Sequence, residues 1–210
     1  FEMNYWQSQP NPPELATGGR GTVVFIGGDQ FSWALRHYRR GGLPGRVLSD
    51  QFLFLGENPT RSFREFRLLA MLYDMGLPVP RPVAARYVRS GAIYRADLIT
   101  ARIPEARPLS SLLDSAELGN EIWANTGKLI RRFHDAGVCH ADLNAHNIMV
   151  NSSGELFLLD FDRGTIRQDG QWKQANLQRL RRSLDKISGA NPGINVSEAD
   201  WSRLLEAYSE

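Results

Sequence analysis

The chain has 210 residues, a formal net charge of +2 and 42% hydrophobic residues. These values exclude a disordered tail, a coiled coil and a collagen-like rod, and the charge is too weak to predict a nucleic-acid partner. A chain of this length folds as one large domain or two small lobes. Cys139 is the one cysteine, so an internal disulfide is impossible and a reducing compartment is favoured. No apolar run approaches the roughly 20 residues of a membrane span.

The first half is predicted to be β-rich with one helix. Residues 4–13 are polar and proline-rich, which indicates a loose arm. Alternating apolar runs separated by glycine turns predict three strands, over residues 22–26, 31–38 and 92–100. Helical spacing predicts a helix over residues 62–75, ended by Gly76 and Pro78. Its apolar face is predicted to carry Phe66, Leu69, Ala70 and Tyr73.

The second half is predicted to be mainly helical, beyond a linker at residues 103–105. Apolar residues at helical spacing end at Gly137, and a second such series follows at residues 177–187. A short hairpin is predicted over residues 147–160. The final helix is predicted to begin after Ser197 as its N-cap. We therefore expect an α+β, bilobal chain, with a small β-rich N-lobe over residues 1–102 and a helical C-lobe over residues 103–210. In such a plan a ligand is expected in the cleft between the lobes.

The sharpest motif is His-Ala-Asp-Leu-Asn-Ala-His-Asn at residues 140–147, followed by Asp-Phe-Asp at 160–162. Phosphoryl transfer needs a carboxylate at the attacking hydroxyl and hard oxygen ligands for Mg²⁺. Asp142 is predicted to be the catalytic carboxylate, and Asn147 and Asp160 the Mg²⁺ ligands. The spacing matches the protein-kinase-like order of a catalytic loop followed by a metal-binding Asp. His140 is predicted to have a packing and hydrogen-bonding role.

An ATP-binding half should then lie upstream. Gly19 and Gly21 lie in a glycine turn that opens a strand, without the Gly-Lys-Ser/Thr of a Walker loop. On the next strand Arg36 occupies the position of the usual lysine, and Arg is not equivalent to Lys as a phosphate ligand. Glu65 in the first helix is the predicted ion-pair partner of Arg36; a surface Glu among arginines is the alternative.

Two features favour a small or lipid-borne hydroxyl acceptor over a peptide. No activation loop or Ala-Pro-Glu element follows Asp160, so little chain is left for a peptide platform. Residues 30–49 contain four arginines and no acid. Arg39 and Arg40 are predicted on an exposed Gly/Pro turn, where they would attract phosphates or an anionic membrane surface. A solvated basic face is the alternative.

These motifs resemble those of the bacterial lipopolysaccharide-core kinases, small protein-kinase-like enzymes, and among them the 3-deoxy-D-manno-octulosonic acid (Kdo) kinases. The likeness covers about residues 18–190. Its five segments are residues 35–43, 64–66, 76–82, 139–147 and 159–164. The Arg-Arg-Gly-Gly-Leu and Asp-Phe-Asp-Arg-Gly elements are narrower than the catalytic loop and point to this branch.

The resemblance implies ATP- and Mg²⁺-dependent phosphorylation of the Kdo 4-hydroxyl on a lipid A precursor, an anionic glycolipid. It implies a peripheral protein on the cytoplasmic face of the bacterial inner membrane. By position in the motifs, Gly19 and Gly21 would cover the ATP phosphates, and Arg36 with Glu65 would fix them. Backbone groups from Thr100 to Arg102 would bind adenine. The resemblance further implies that Arg39, Arg40 and Arg163 contact anionic groups of the acceptor.

Two other readings stay open at this point. The first is a small-molecule phosphotransferase of the aminoglycoside or choline kind, against which the basic turn argues. The second is a pseudokinase that binds nucleotide or membrane without turnover. Arg36 in the lysine position supports it, whereas intact Asp142, Asn147 and Asp160 argue against it.

Overall fold

In the computed structural model, the described residues are 1, 6, 14–15, 23–28, 31–40, 50–113 and 119–210. They form two compact units. The first comprises Phe1–Tyr73 and Pro80–Arg102, and the second comprises Asp74–Val79 and Ile103–Glu210. Most of the second unit therefore follows Arg102 in the chain. A short earlier segment, residues 74–79, also belongs to it.

The first unit contains an antiparallel sheet of six strands. The strands are β1 (Glu14–Leu15), β2 (Val23–Gly28), β3 (Phe31–His37), β4 (Phe52–Leu53), β5 (Pro82–Ser90) and β6 (Ile93–Ala101). β6 is central: β3 and β4 pair with successive stretches of one edge, and β5 pairs along the other. Val24, Ile26, Leu35 and Ile99 form the apolar core on one face of the sheet.

Three of these strands were predicted, with two differences. Gly27 and Gly28 continue β2 and pair with Ser32 and Phe31, where the sequence predicted a turn. The two-residue strands β1 and β4 were missed, and so was the longer strand β5. Its residues are half-buried from Pro82 to Tyr87 and exposed beyond, so neither alternation nor a continuous apolar run marks it.

Helix α1 (Arg61–Asp74) follows β4 and is confirmed within one residue. Its buried face is rotated from the predicted one: Ser62, Glu65, Leu68, Leu69 and Leu72 are buried, while Tyr73 is exposed. The prediction of the face was wrong because it rested on the apolar residues alone, whereas Glu65, paired with Arg36, and Ser62 are part of the buried face. Gly76 ends the helix with a φ of 72°, a left-handed conformation that glycine adopts without strain.

The second unit contains short strands and four helices. In chain order its elements are β7 (Arg107–Pro108), α2 (Leu109–Leu112), α3 (Glu121–Asp135), β8 (Val138–Cys139), β9 (Ile148–Val150), β10 (Leu156–Leu158), β11 (Thr165–Ile166), α4 (Trp172–Ala190) and α5 (Glu198–Ser209). The strands form two small antiparallel sheets, ordered β10-β9-β7 and β11-β8. The α3 helix, the β9–β10 hairpin and the last two helices confirm the sequence prediction.

Helix packing in the second unit depends on one small residue. A Cβ atom at Gly127 of α3 would lie 2.2 Å from the Leu204 carbonyl oxygen of α5, so only glycine permits this approach. Ser197 caps α5 as predicted: its hydroxyl accepts the Asp200 N–H, and the Asp200 carboxylate accepts the Ser197 N–H in return.

The helices and antiparallel sheets confirm the predicted α+β class. Within the described ranges, no helix combines the length and apolar character needed to cross a bilayer.

Candidate active site

The loop at residues 140–147 connects β8 to β9 and is closed by its own asparagines. The Asp142 carbonyl oxygen accepts hydrogen bonds from the side-chain amides of Asn144 and Asn147, each at 2.9 Å. The Asn144 side-chain oxygen in turn accepts the backbone N–H groups of His146 and Asn147. The loop is therefore held through the backbone of Asp142, and its carboxylate projects with 65% of the side chain exposed.

His140 joins this loop to the end of β10. Its Nε2 lies 2.8 Å from the Leu159 carbonyl oxygen, and its Nδ1 lies 3.2 Å from the Asp142 backbone nitrogen. Since a carbonyl only accepts and a backbone N–H only donates, Nε2 carries the proton and the ring is neutral. Burial lowers the pKa of His140. The imidazole thus positions two segments, as predicted, and does not shuttle protons.

Asn147 and Asp160 lie at neighbouring strand ends. The Leu159 N–H donates to the Asn147 carbonyl oxygen at 2.9 Å, and Asp160 is the next residue. Asp160 has a φ of 64°, a left-handed conformation that Asp tolerates better than most residues. Phe161 is buried against the rings of Phe133 and His140, at centroid distances of 5.8 and 4.8 Å. The buried Phe161 ring therefore fixes the backbone on the C-terminal side of Asp160, whose own side chain is exposed.

These two side chains suit Mg²⁺. The Asn147 amide nitrogen donates to the Asp142 carbonyl, so the amide oxygen remains the group that can bind a cation. With Asp160 this makes one amide and one carboxylate oxygen, both hard ligands that would hold Mg²⁺. The described part of the chain has no group of three or more His, Cys, Asp or Glu residues suited to a metal. A nucleotide-linked Mg²⁺ needs no such group.

In the first unit, Arg36 on β3 forms an ion pair with Glu65 on α1, the predicted partner. Glu65 is 2% exposed, and its carboxylate also accepts the Tyr38 hydroxyl at 2.5 Å. The Arg36 guanidinium lies over the Tyr38 ring, 4.6 Å from its centroid, so both project from the same face of β3. Burial raises the pKa of Tyr38 well above its ordinary value, which keeps the phenol a donor to Glu65.

His37 projects from the opposite face of β3. Its Nδ1 lies 2.6 Å from Asp97 and its Nε2 3.3 Å from Asp50. Arg86 donates two further hydrogen bonds to Asp97. The hydrogen bond with Asp97 raises the pKa of His37. Contacts between charged groups therefore fix the side chains on both faces of β3 near its C-terminal end.

The family model described as "Lipopolysaccharide kinase (Kdo/WaaP) family" matches residues 4–208. The chain belongs to this family. Several similar proteins are named 3-deoxy-D-manno-octulosonic acid kinase, and three of them are described here by their similarity to this chain. The Stenotrophomonas maltophilia K279a protein is 46% identical, with 99% of this chain and 82% of the relative covered. The Vibrio parahaemolyticus protein is 44% identical (100% and 87%), and the Photobacterium profundum protein is 43% identical (99% and 87%).

Family membership confirms the resemblance inferred from the motifs, and with it the kinase-like fold class and a phosphotransferase activity. Several predicted site residues have a defined place in this kinase. Thr100 lies in β6 between β3 and β5. The Arg102 N–H donates to the Ser32 carbonyl oxygen at 2.9 Å, so this N–H is used within the sheet. Gly19 and Gly21 lie outside the described residues.

The basic turn of the kinase differs from the prediction in one of its two arginines. Arg39 is exposed, as is Arg163. Arg40 is not: its Nε donates to the Gln51 carbonyl oxygen at 2.6 Å, and its guanidinium lies 5.2 Å from the Phe52 ring centroid. The prediction that both arginines face solvent was wrong for Arg40, because a backbone acceptor and an aromatic face bind its side chain. The glycines at 41 and 42 lie outside the described residues.

Three contributors to the site were missed from the sequence. Tyr38 shares the Glu65 carboxylate, Asn144 closes the catalytic loop, and Arg179 on α4 reaches Asp142. Asn144 carried a usable signal, since an Asn two residues after an Asp in a loop commonly bonds the local backbone. Tyr38 and Arg179 carried none, because their partners are 27 and 37 residues away along the chain.

Proposed function

We propose that the protein transfers the γ-phosphoryl group of ATP to the 4-hydroxyl of the Kdo residue on a lipid A precursor. The observation that carries the proposal is the loop at residues 140–147 joined through His140 to the segment before Asp160. It holds an exposed carboxylate close to two hard oxygen ligands. The names of the relatives support the acceptor, since each is a kinase of the same acidic sugar.

In this reaction Asp142 orients the acceptor hydroxyl and accepts its proton on the carboxylate, as the new O–P bond forms and the bond from the γ-phosphorus to the leaving ADP breaks. Positioning contributes much of the effect, because phosphoryl transfer requires little covalent help from the protein. Asn147 and Asp160 would hold Mg²⁺, which when bound neutralises charge on the ATP phosphates. Arg36, oriented by Glu65 and Tyr38, would bind the α/β-phosphates with its planar guanidinium. Gly19 and Gly21 would cover the phosphates. Backbone groups around Thr100 and Arg102 would bind adenine, through groups other than the Arg102 N–H, which donates to Ser32.

The acceptor is an anionic glycolipid, so the enzyme would work as a peripheral protein at the cytoplasmic face of the inner membrane. The exposed Arg39 and Arg163 support this assignment, because cations near a surface attract anionic lipid groups. Arg40 is expected to act indirectly, by holding the strand end that carries Arg39.

The test is an acceptor screen with labelled ATP and Mg²⁺, comparing Kdo-lipid, heptose-lipid and an aminoglycoside. We expect label in the Kdo-lipid alone, with the product phosphate at the 4-position by NMR. Label in the aminoglycoside alone would assign the small-molecule phosphotransferase function. ATP binding without any transfer would assign a pseudokinase.

Asp142→Asn is the control for chemistry in this screen. We expect kcat to fall about 1000-fold, or about 4 kcal/mol in the barrier, because the base and hydroxyl-orienting carboxylate is lost. Affinity for ATP should stay within about twofold of wild type. The loop itself is held by the Asp142 carbonyl, which the variant keeps. A variant that keeps more than about a tenth of kcat, about 1.4 kcal/mol, would remove Asp142 from this role.

A further inference from the structure

Helix α4 presents one polar face to the catalytic loop. The Asn176 side-chain oxygen accepts the His140 N–H at 3.2 Å, and the Ser183 hydroxyl accepts the Ala145 N–H at 3.3 Å. Arg179 lies between them on the same face, three residues after one and four before the other. Its Nη1 is 3.5 Å from Oδ1 of Asp142. Among the described residues, this is the cation that the structure brings to the catalytic carboxylate.

The contact between Arg179 and Asp142 is loose. Their side chains are 47% and 65% exposed, and 3.5 Å is long for a charge-assisted hydrogen bond. Exposed ion pairs of this kind contribute little to the stability of a fold. Asn176 and Ser183 already bind the helix to the loop, so Arg179 is not needed for that purpose. Its five N–H donors can therefore turn to a second carboxylate at little cost.

The acceptor named by the relatives supplies such a carboxylate, because the sugar is an acid. Its carboxyl-bearing ring carbon and the carbon with the 4-hydroxyl are separated by a single ring carbon. A hydroxyl placed at Asp142 therefore brings the sugar carboxylate close to the guanidinium beside it. A neutral sugar in the same position would leave Arg179 without this partner.

We propose that Arg179 binds the carboxylate of the acceptor sugar while the adjacent Asp142 orients its hydroxyl, so that this pair selects an acidic sugar over a neutral one. The inference rests on the proposed function, and it adds the residue that determines acceptor specificity. Before the acceptor binds, the guanidinium rests on Asp142; afterwards it bridges the catalytic and the substrate carboxylates.

The test uses two acceptors and three variants. The acceptors are Kdo-lipid and the same lipid with its carboxylate reduced to an alcohol. The variants are Arg179→Gln, Arg179→Lys and, as a matched control, Arg182→Gln. Arg182 is exposed on the same helix but lies in a groove beside Trp201 and Leu205. KM and kcat are measured for each acceptor and for ATP, and thermal unfolding checks that each variant is folded.

For wild type we expect kcat/KM to favour the acidic acceptor by at least tenfold. Arg179→Gln should raise KM for Kdo-lipid about tenfold, leave KM for ATP unchanged and bring the preference close to one. Arg179→Lys should restore part of the preference, because it keeps the charge but not the planar pair of donors. Arg182→Gln should behave as wild type.

An Arg179→Gln enzyme that is folded and active but still prefers the acidic acceptor as strongly as wild type would overturn the assignment. A preference lost equally in Arg182→Gln would also overturn it, by showing a general effect of helix charge. If the wild-type enzyme is inactive on both acceptors, the proposed function is contradicted. The role of Arg179 in binding the acceptor carboxylate is then contradicted as well.

Discussion

The two units hold their functional side chains by opposite means. In the first, the cation of Arg36 is bound by a buried opposite charge, Glu65, with Tyr38 as a second donor. In the second, the carboxylates of Asp142 and Asp160 are exposed, and neutral hydrogen bonds through His140 and the loop asparagines set their positions. A phosphate-binding cation must keep one orientation, which a buried carboxylate provides. A carboxylate that accepts a proton must stay accessible to the acceptor, and the loose contact of Asp142 with Arg179 leaves it so.

The histidines repeat this contrast. His37 in the first unit lies between Asp97 and Asp50, and its pKa is raised. In the second unit, burial lowers the pKa of His140, and it lowers that of His134 to about 4. The first unit therefore stabilises a charged imidazole and the second a neutral one.

After Asp142→Asn, the largest effect on activity is expected at Asp160, where it tests whether this exposed carboxylate of the second unit binds the cation. Asp160→Asn should lower kcat about 100-fold, or about 2.7 kcal/mol, while Asn still tolerates the left-handed backbone. The affinity for ATP should fall only when Mg²⁺ is present. Nucleotide titrations with and without Mg²⁺ measure this difference.

Asp160→Gly is the matched control for backbone conformation. It relieves the positive φ of 64° and should unfold no more readily than Asp160→Asn, yet be equally inactive. Unchanged affinity for Mg·ATP in both variants would move the metal site away from Asp160.

Next in size is the buried ion pair of the first unit. Glu65→Gln should lower the free energy of unfolding by about 2 kcal/mol, since Arg36 would lose its partner in a largely buried place. The double variant Arg36→Met/Glu65→Met should recover most of that stability, because apolar side chains replace buried ion pairs well. It should not recover ATP affinity. Urea unfolding and ATP titration together separate the two roles, and a double variant that binds ATP normally would contradict the role of Arg36.

The histidines give a smaller, pH-dependent effect. For His134 and His140 the folded pKa is lowered, so their stabilisation is present above pH 6.5 and is lost as the pH falls below 6.5, for His134 down to about 4. For His134 we expect a loss of about 1 kcal/mol in the free energy of unfolding by pH 5. For His37 the folded pKa is raised, so its contribution is complete below 6.5 and is lost as the pH rises through the raised value.

The measurement is urea unfolding of wild type and His37→Gln from pH 5 to pH 9. The wild-type free energy of unfolding should decrease on the acid side, and His37→Gln should cost more at pH 6 than at pH 9. A cost of His37→Gln that does not change with pH would show that the imidazole is neutral in the folded state.

The smallest effect concerns the two arginines after β3. Arg39→Ala should raise KM for the glycolipid about threefold, and the deficit should shrink at high salt because exposed charges are screened. Arg40→Ala should instead lower the unfolding temperature, since the bond to Gln51 and the contact with Phe52 are lost. KM at two salt concentrations and a thermal melt of each variant make the comparison. Equal effects of both variants on KM would show that Arg40 also faces the acceptor.

Much of the second unit was predictable because its signals are local. The helical periodicity of residues 122–133, the Ser197 cap and the turn at residues 152–154 each lie within a short window of sequence. The spacing of Asp142, Asn147 and Asp160 indicated the chemistry for the same reason. Strand β5 was not predictable, because its half-buried residues show no sequence pattern of their own. The buried face of α1 was not predictable either, because the burial of Glu65 depends on what packs against it.

The sequence by itself determined the family, the α+β class and the identity of the residues suited to phosphoryl transfer, since residue type and spacing carry that information. Only the tertiary structure decided which groups those residues contact. Tyr38 meets Glu65 across 27 residues, His140 meets Leu159 across 19, and Arg179 meets Asp142 across 37. Such contacts depend on how strands pair and how helices pack. That arrangement minimises the free energy of the whole unit, so no single segment of sequence specifies it.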